Sequence, residues 1–304
     1  MPCQGPGTAI RWTSAGVYIV YHTSMSRRAV LCVPASEPRK IAKALAAAVD
    51  EVVVDLEDAV SIDEKDAARE NVVGLAARDA GLLAVRVNAL GTPWIDSELA
   101  ACVSIPHVES IVLPKCEDPQ ALQDLARRLD RLEAVAQRVV PLRLQALIES
   151  PLGLQHVASI TAATERMSAL IIGYADLSAS MGRRIEASWQ FAQDAVLLAA
   201  RVAGVQAIDG PLLTIAADEA LEKAAAHAEA MGFDGKWVIH PAQVATVQQA
   251  FDPSAEELDE AREILAVVDS ASSEGRGALQ WRGRMLDEAV AVRARRTLDR
   301  TIHS

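Results

Sequence analysis

Short apolar runs recur along the chain, and each is followed by a stretch whose apolar residues repeat at helical spacing. The runs are almost continuously hydrophobic, which is typical of parallel strands covered on both faces. Eight of them begin at Ala29, Glu51, Leu82, Glu109, Leu142, Ser168, Val205 and Gly235. Eight strand–helix units predict an α/β protein with a (β/α)8 barrel, for which about 250 residues is typical. A doubly wound open sheet is the alternative, but no GxGxxG motif follows the first run.

The same pattern predicts how the 304 residues divide. Residues 25–251 hold the eight units and are expected to form the barrel. Ser254 and Glu257 then make a capping-box pattern that begins another helix, and a Ser/Gly-rich link, SASSEGRG, leads to a final Arg-rich helix. We therefore expect residues 252–304 to be a C-terminal helical appendage. Residues 1–24 lack the pattern of a signal peptide, and we expect an unstructured extension there.

Composition and charge narrow the classes of function. Asp and Glu number 41 against 30 Lys and Arg, and the resulting net charge of −11 argues against a nucleic-acid partner. No apolar run approaches the length of a membrane span, so no membrane partner is expected. The 4 cysteines are scattered, without CxxC or metal-binding spacing, which predicts a reduced, cytoplasmic protein.

Polar residues stand at the ends of the predicted strands, where (β/α)8 barrels carry their active sites. In EVVVDLEDAV, a strand that reads as buried runs directly into Asp55, Glu57 and Asp58. Uncompensated charges are unfavourable in a core, so these carboxylates are expected at the rim of a pocket. The other strand-end residues are Ser36, Arg86, Asn88, Lys115, Glu149, Asp176, Asp209 and His240.

Glu149 and Asp176 follow adjacent predicted strands, so their carboxylates can meet across a small gap. Two carboxylates, completed by water and substrate oxygens, suit a hard cation such as Mg²⁺. The alternative interpretation is that Glu149 pairs with a basic neighbour and that Asp176 caps the next helix. Spacing alone leaves both open.

Arg86 lies in an otherwise apolar strand, where a guanidinium needs a carboxylate partner or an anionic ligand. Asp55 or Glu57 could be that partner, and an arginine bound in this way can still offer further donors to a ligand. Basic residues near the first strand form either a solvated face or a phosphate-binding group at the barrel mouth: Arg27, Arg28, Arg39, Lys40 and Lys43. We interpret His240 as structural and Asp287 as a candidate N-cap of the last helix.

Taken in order, the segments resemble the HpcH/HpaI aldolase/citrate lyase superfamily, in its branch of citrate-lyase-β-like CoA-ester lyases. The resemblance runs from about Arg27 to the end and rests on LCVPASEPRKIAKAL, VVVDLEDAVSIDEKDAAR, VRVNALGTPW, VLPKCED, IESPLG, GYADL, AIDGP and GFDGKWVIHPAQV. It implies a (β/α)8 barrel with a C-terminal helical segment, assembled as a homotrimer or hexamer. It also implies a Mg²⁺-dependent reaction that makes or breaks a carbon–carbon bond between an acyl-CoA and a 2-oxo acid.

The resemblance also implies roles for residues that match its motifs. Glu149 and Asp176 match the metal ligands, and Arg86 matches an arginine that contacts the substrate. Glu57, with its neighbour Asp58, matches acidic residues that orient this arginine and the metal-bound waters.

Two further parts of the site are expected, the first from the resemblance and the second from the basic residues near the first strand. Asp287 matches an acidic residue that reaches into the neighbouring subunit's site as a general acid/base. Ser36, Arg39 and Lys40 are expected to contact the CoA of the substrate. The sequence departs from the family pattern at three positions. Each of the three is an alanine in this chain. Family members commonly have glycine at position 35, an acidic residue at position 175, directly before Asp176, and proline at position 289.

These residues favour a stand-alone Mg²⁺-dependent lyase that acts on a malyl-, methylmalyl- or citramalyl-CoA ester. Three alternatives remain open at this point. The chain could be the β-subunit of a citrate lyase, which needs an acyl-carrier partner, or a malyl-CoA thioesterase, in which water replaces the carbon nucleophile. It could also be a non-catalytic binding homologue, a hypothesis that the alanine before Asp176 keeps open.

Overall fold

The computed structural model describes residues 10–13, 16–19, 26–273 and 279–300. The chain forms two compact units, which divide in the sequence between Ala250 and Phe251. Within the segment expected to be an unstructured extension, strands β1 (Ile10–Thr13) and β2 (Gly16–Ile19) form an antiparallel pair. The other residues before Ser26 lie outside the described residues. Across the described ranges, no helix has the length and apolar character needed to cross a membrane.

The first unit contains a closed barrel of eight parallel strands. The strands are β3 (Ala29–Pro34), β4 (Glu51–Asp55), β5 (Leu82–Arg86), β6 (Ser110–Leu113), β7 (Arg143–Ile148), β8 (Met167–Ile172), β9 (Gln206–Asp209) and β10 (Gly235–Val238). They pair in sequence order, and β10 closes the ring by pairing with β3. Each strand begins within one residue of a predicted apolar run, so the predicted (β/α)8 barrel is confirmed.

Helices connect the strands and cover the outside of the barrel. They are α1 (Pro38–Leu45), α2 (Lys65–Val73), α3 (Ile95–Ser104), α4 (Pro119–Ala136), α5 (Pro151–Gln155), α6 (Val157–Thr161), α7 (Tyr174–Met181), α8 (Gln190–Ala203), α9 (Glu219–Met231) and α10 (Val244–Phe251). Local signals set their ends. The Asp118 side chain caps α4 by accepting from the backbone of Gln120, and Gln137 ends this helix in the left-handed conformation. In the turn before α2, Ser61 Oγ donates to the Glu64 side chain at 2.7 Å.

The inside of the barrel is layered, because alternate residues of each strand point inward. The middle layer is apolar and contains Val30, Val53, Ala84, Val112, Leu147, Ala169, Ile171, Ile208 and Trp237. At the amino ends of the strands lies a buried polar plug, defined by Arg27, Glu51, Ser110, Gln145 and Gln206. Arg27 Nε donates to Glu51 Oε2 at 3.1 Å, and Gln145 Nε2 donates to Glu51 Oε1 at 2.7 Å. The plug closes the barrel at the end opposite the carboxyl ends of its strands.

The second unit is a helical hairpin with a small sheet between its helices: α11 (Ala255–Ser273), β11 (Leu279–Trp281), β12 (Arg284–Leu286) and α12 (Glu288–Asp299). The predicted capping box is confirmed, because Ser254 N donates to Glu257 Oε2 at 2.8 Å and Glu257 N donates to Ser254 Oγ at 3.2 Å. The helix α11 extends into the predicted Ser/Gly link, and residues 274–278 lie outside the described residues. Asp287 caps α12, as one interpretation expected, by accepting from Val290 N at 3.2 Å.

Candidate active site

Asp55 organises the turn that follows β4. Its carboxylate is fully buried and accepts two hydrogen bonds from Arg86, from Nε at 2.7 Å and from Nη2 at 2.6 Å. Asp55 also accepts from the backbone of Glu57 at 2.9 Å and of Ala59 at 3.3 Å. A charge at the end of a core strand is therefore compensated by a paired guanidinium and by the amides of its own turn.

Arg86 bridges the two acidic residues that were its expected partners. Besides its two bonds to Asp55, its Nη1 lies 3.0 Å from Glu57 Oε2. Burial alone would lower the pKa of Arg86, but the adjacent Asp55 and Glu57 carboxylates raise it well above the ordinary value. The guanidinium is thus held as a permanent cation at the carboxyl end of β5, with 14% of its side chain exposed.

Glu57 lies between two cations. Its Oε2 faces Arg86, and its Oε1 accepts from Lys115 Nζ at 2.6 Å. Lys115 also lies 3.8 Å from Asp58, which is the most exposed carboxylate of this turn. Burial raises the pKa of Glu57, and the charges of Arg86 and Lys115 oppose that rise. The residues that follow β4, β5 and β6 therefore form one ionic cluster.

Glu149 extends this cluster to the end of β7. Its Oε1 accepts from the backbone N–H of Lys115 at 2.7 Å. Its Oε2 lies against Gly173, where an alanine Cβ would stand 2.6 Å from Glu149 Cβ and 2.7 Å from Oε2. Burial raises the pKa of Glu149 to about 8, and the negative charges of Glu57 and Asp176 contribute to the rise. Glu149 thus has one oxygen that accepts a backbone hydrogen bond and a second that packs against Gly173, at a distance that leaves no room for a side chain at position 173.

Asp176 lies in the first turn of α7, which begins directly after Gly173 and has no side-chain cap. The start of this helix is instead held from outside the barrel. Tyr174 donates to Asp209 at 2.5 Å, and Lys236 donates to the other oxygen of Asp209 at 2.5 Å. The first turn that carries Asp176 is therefore anchored to β9 and β10.

The donor set fits a hard divalent cation. In the described ranges, no group of three or more His, Cys, Asp or Glu residues has metal-binding geometry. Glu149 and Asp176 are near enough for the charge of Asp176 to add to the effect of burial in raising the pKa of Glu149. The alternatives raised from the sequence are not observed, because Glu149 forms no ion pair within residues 26–273 and the N-cap of α7 is Gly173. Mg²⁺ accepts such a site, since it is often bound by one or two carboxylates and keeps several waters or substrate oxygens.

A buried hydrogen-bond network supports the turn that carries Glu57, and it contains Lys65, Asn88 and Glu98. Buried Lys65 Nζ donates to the carbonyls of Leu56 at 2.6 Å and Glu57 at 2.7 Å, and to Asn88 Oδ1 at 2.8 Å. Asn88 in turn donates to Glu98 from its backbone at 2.8 Å and from its amide. Lys65 was missed in the sequence, although it shares a buried helix face with Ala68 and Val72 at spacings of three and four residues.

The basic residues near the first strand do not form one group, which corrects the expectation of a joint basic patch. Arg27 and Arg28 precede β3, so they lie at the amino end of the barrel and pair with Glu51 and Asp50. Chain direction separates them from the carboxyl end. The other basic residues of the expected group, Arg39, Lys40 and Lys43, are exposed on α1, next to Ser36 in the preceding loop. Helix α1 also lines a groove of about 500 Å³ against α2.

Two other strand-end residues do not join the carboxylate cluster. His240 is structural, as predicted: its Nδ1 accepts from Ala242 N at 3.2 Å, and Gln243 completes a capping box with it. Asp209 is bound to Lys236 and Tyr174, as described above. Since Ile208 belongs to the inner layer, the side chain of the next residue faces the helices instead of the barrel interior.

The fold and the cluster define a (β/α)8-barrel protein that carries, at one end, an arginine bound by Asp55 and Glu57 and, near it, the buried carboxylate of Glu149. The chain belongs to the HpcH/HpaI aldolase/citrate lyase family, which matches residues 28–241. This confirms the family expected from the sequence, and its named relatives are lyases.

Two of these relatives are similar over most of their length. The chain is 33% identical over 289 residues to the L-malyl-CoA/beta-methylmalyl-CoA lyase of Cereibacter sphaeroides, covering 86% of this chain and 90% of the relative. It is 33% identical over 285 residues to citrate lyase subunit beta of Escherichia coli, covering 90% and 93%. A solved structure of CitE from Mycobacterium tuberculosis, in complex with magnesium, acetoacetate and coenzyme A, is similar with a TM-score of 0.74 and 32% identity. The match covers 90% of this chain and 98% of that one.

Proposed function

We propose that this protein is a Mg²⁺-dependent CoA-ester lyase of the cytoplasm. It would cleave or form a 3-hydroxyacyl-CoA, such as malyl-, methylmalyl- or citramalyl-CoA, with an acyl-CoA and a 2-oxo acid as the other side of the reaction. The observation that carries the proposal is the juxtaposition of Arg86, held by two carboxylates, with Glu149, whose pKa burial raises and the charge of Arg86 lowers, and whose Oε2 lies against Gly173. The malyl-CoA lyase relative supports the choice of substrate class.

Cleavage breaks the bond between the carbon next to the thioester and the carbon that bears the hydroxyl. The hydroxyl loses its proton and becomes the carbonyl of the 2-oxo acid, while the bonding electrons pass to a thioester enolate that takes up a proton. Mg²⁺ held by Glu149 and Asp176 would supply Lewis acidity and a template for the oxygens. Arg86 would stabilise the developing negative charge through the N–H groups that Asp55 and Glu57 leave free.

Two groups of residues would position the substrate. Glu57 orients the Arg86 guanidinium, and the residues around Ser36 would bind the CoA portion of the substrate. Glu57 keeps Arg86 in place through the 3.0 Å contact with Nη1, so the donors are oriented before the substrate arrives. Arg39 and Lys40 on α1, with Ser36 in the loop before it, would bind the phosphates of CoA. Their positive charge is local in a chain with a net charge of −11, which suits a single anionic ligand.

We also infer that Asp287 moves the proton to or from the enolate carbon in the site of a neighbouring subunit, within a homotrimer or hexamer. The Asp287 side chain caps α12, so its removal could act through the helix alone. Asp287→Asn separates the two roles, because asparagine caps helices as well as aspartate but cannot transfer the proton. We expect Asp287→Asn to keep the melting temperature and lose turnover by about 100-fold or more. An active Asp287→Asn variant would mean that this residue is only a cap.

A product screen tests the function. Purified protein is incubated with Mg²⁺ and a panel of 3-hydroxyacyl-CoA esters, with EDTA and Glu149→Ala as controls, and the products are read by mass spectrometry. Acyl-CoA together with a 2-oxo acid supports the lyase. Free CoA with an intact hydroxy acid would mean a thioesterase, and no turnover of any ester would favour a non-catalytic binding protein.

One alternative has specific support, because citrate lyase subunit beta of Escherichia coli is as similar in sequence as the malyl-CoA lyase. A protein of that kind would act on a thioester of an acyl-carrier protein. The panel therefore includes citryl groups on CoA and on an acyl carrier. A strong preference for the carrier thioester would favour the citrate lyase subunit over a stand-alone CoA-ester lyase.

A further inference from the structure

Lys115 has a backbone conformation that its residue type rarely adopts. Its φ is +52°, in the left-handed region, where glycine is comfortable and a residue with a Cβ is strained. Lys115 follows β6, in the middle of the ionic cluster. Such strain is often found at functional sites, and here it lies beside the carboxylates of the proposed active site.

Lys115 holds one oxygen of each of two carboxylates. Its backbone N–H donates to Glu149 Oε1 at 2.7 Å, and its Nζ donates to Glu57 Oε1 at 2.6 Å. The second oxygen of Glu57 faces Arg86, and the second oxygen of Glu149 lies against Gly173 without a hydrogen bond from the described residues. The residue thus leaves the inner oxygen of each carboxylate for the guanidinium and for a metal ion.

The Lys115 ammonium also balances the charge of the cluster. Glu57 is 4% exposed, and Arg86, its other cation, is already shared with Asp55. Without the ammonium, Glu57 would keep only its contact with Arg86. Its carboxylate would then be free to rotate away from the guanidinium, or to be neutralised by a proton, because burial disfavours its charged form.

We propose that Lys115 is a positioning residue with two separable parts. Its ammonium holds Glu57 against Arg86, and its left-handed backbone directs an N–H to Glu149 at the metal site. The inference rests on the proposed function, because it gives Lys115 a part in that same site. It follows that losing the side chain should impair turnover but leave metal binding intact.

Three substitutions separate the parts. Lys115→Met removes the ammonium and keeps the length, Lys115→Arg keeps the positive charge, and Lys115→Gly removes the side chain but keeps the N–H and relieves the backbone. We expect kcat to fall by about 10- to 100-fold in the methionine and glycine variants, the range seen for partners of metal ligands. The arginine variant should recover most of kcat. KM for the ester and the Kd for Mn²⁺, followed by electron paramagnetic resonance, should stay within about threefold of wild type because the N–H remains.

Gln137 is a matched control for the backbone. It is exposed and ends α4 with a φ of +53°. It therefore lies at the end of α4 that is farther from β6. Gln137→Gly should raise the melting temperature by roughly 1–3 °C and leave kcat unchanged. Lys115→Gly should melt above Lys115→Met by a similar interval. Lys223→Met, on the exposed lysine of α9, controls for the loss of a positive charge.

The outcomes are distinct. If the wild-type protein is active and Lys115→Met or Lys115→Gly is equally active, the inference about Lys115 is refuted and the proposed function is not. Weakened Mn²⁺ binding in both variants also refutes it, because the side chain would then be needed for the metal site itself. Wild-type protein that cleaves no ester on the panel refutes the proposed function, and the role of Lys115 in turnover falls with it.

Discussion

Gly173 provides a direct test of the metal site. Its φ of −101° is open to any residue, so alanine would be opposed there only by what its methyl group meets. That group would stand 2.6 Å from Glu149 Cβ and 2.7 Å from Glu149 Oε2. Gly173→Ala therefore acts on one side chain, the carboxylate that is proposed to hold the metal.

The size of the effect follows from these distances. Carbon atoms in contact prefer a separation of about 3.5–4.0 Å, so the two Cβ atoms must move apart by about 0.9 Å or more. A rotation of the Glu149 side chain cannot relieve this contact, because a Cβ moves only with its backbone. Displacing a reacting group by about 1 Å can lower turnover by about 100-fold. Disturbing the orientation of a metal ligand lowers metal affinity by about 10- to 100-fold.

The assay is a titration with Mn²⁺ followed by electron paramagnetic resonance, together with thermal unfolding of the same samples. The matched control is Gly74→Ala at the end of α2, where the nearest atom to the new methyl group would be 3.7 Å away, an ordinary contact. We expect Mn²⁺ binding to be weaker in Gly173→Ala than in the wild type and to be unchanged in Gly74→Ala. Wild-type affinity for Mn²⁺ in Gly173→Ala would refute the assignment of Glu149 as a metal ligand.

Three further predictions concern barrel closure and pH. At Gly235, an added methyl group would stand 1.7 Å from the carbonyl oxygen of Arg27. Gly235→Ala should therefore lower the free energy of unfolding, measured in urea, by about 4 kcal/mol or more, and a loss under about 1 kcal/mol would contradict this prediction. Burial raises the pKa of Glu149 from 4.5 to about 8, so Mn²⁺ must displace a proton below that pH. The Kd for Mn²⁺ should rise as the pH falls from 8, approaching about tenfold per pH unit, and a Kd independent of pH would contradict it. The folded metal-free protein keeps a proton that the unfolded chain releases between pH 4.5 and 8, so its stability should fall as the pH rises through that window.

The barrel was predictable because each strand is covered on both faces and therefore appears as an unbroken apolar run. The strand-end rule then located Arg86, Glu57 and Glu149 at one end of the barrel. The rule failed at two residues, because the sequence pattern did not show which way a side chain faces or at which end of a strand it lies. Asp209 ends a strand like the others, but it follows inward-facing Ile208 and so faces the helices. Arg27 lies near the first strand in sequence but at its opposite end in space.

The sequence places Lys115 at a strand end, but it could not predict the role proposed for this residue, because that role depends on a backbone angle. The motif VLPKCED shows a lysine after a strand, and such a lysine is ordinarily solvated. The left-handed turn alone brings its N–H to Glu149 and allows its ammonium to reach Glu57. Sequence patterns report which face a residue occupies, whereas this arrangement depends on a single φ.

The barrel buries carboxylates at both ends, but it bonds them differently. In the plug, both oxygens of Glu51 accept hydrogen bonds, Oε2 from Arg27 and Oε1 from Gln145. At the carboxyl end, Glu149 accepts at Oε1 alone within the described residues, and its free oxygen lies near the negative charges of Glu57 and Asp176. A buried carboxylate in such surroundings is stabilised by a cation, which supports the metal binding proposed for this end of the barrel.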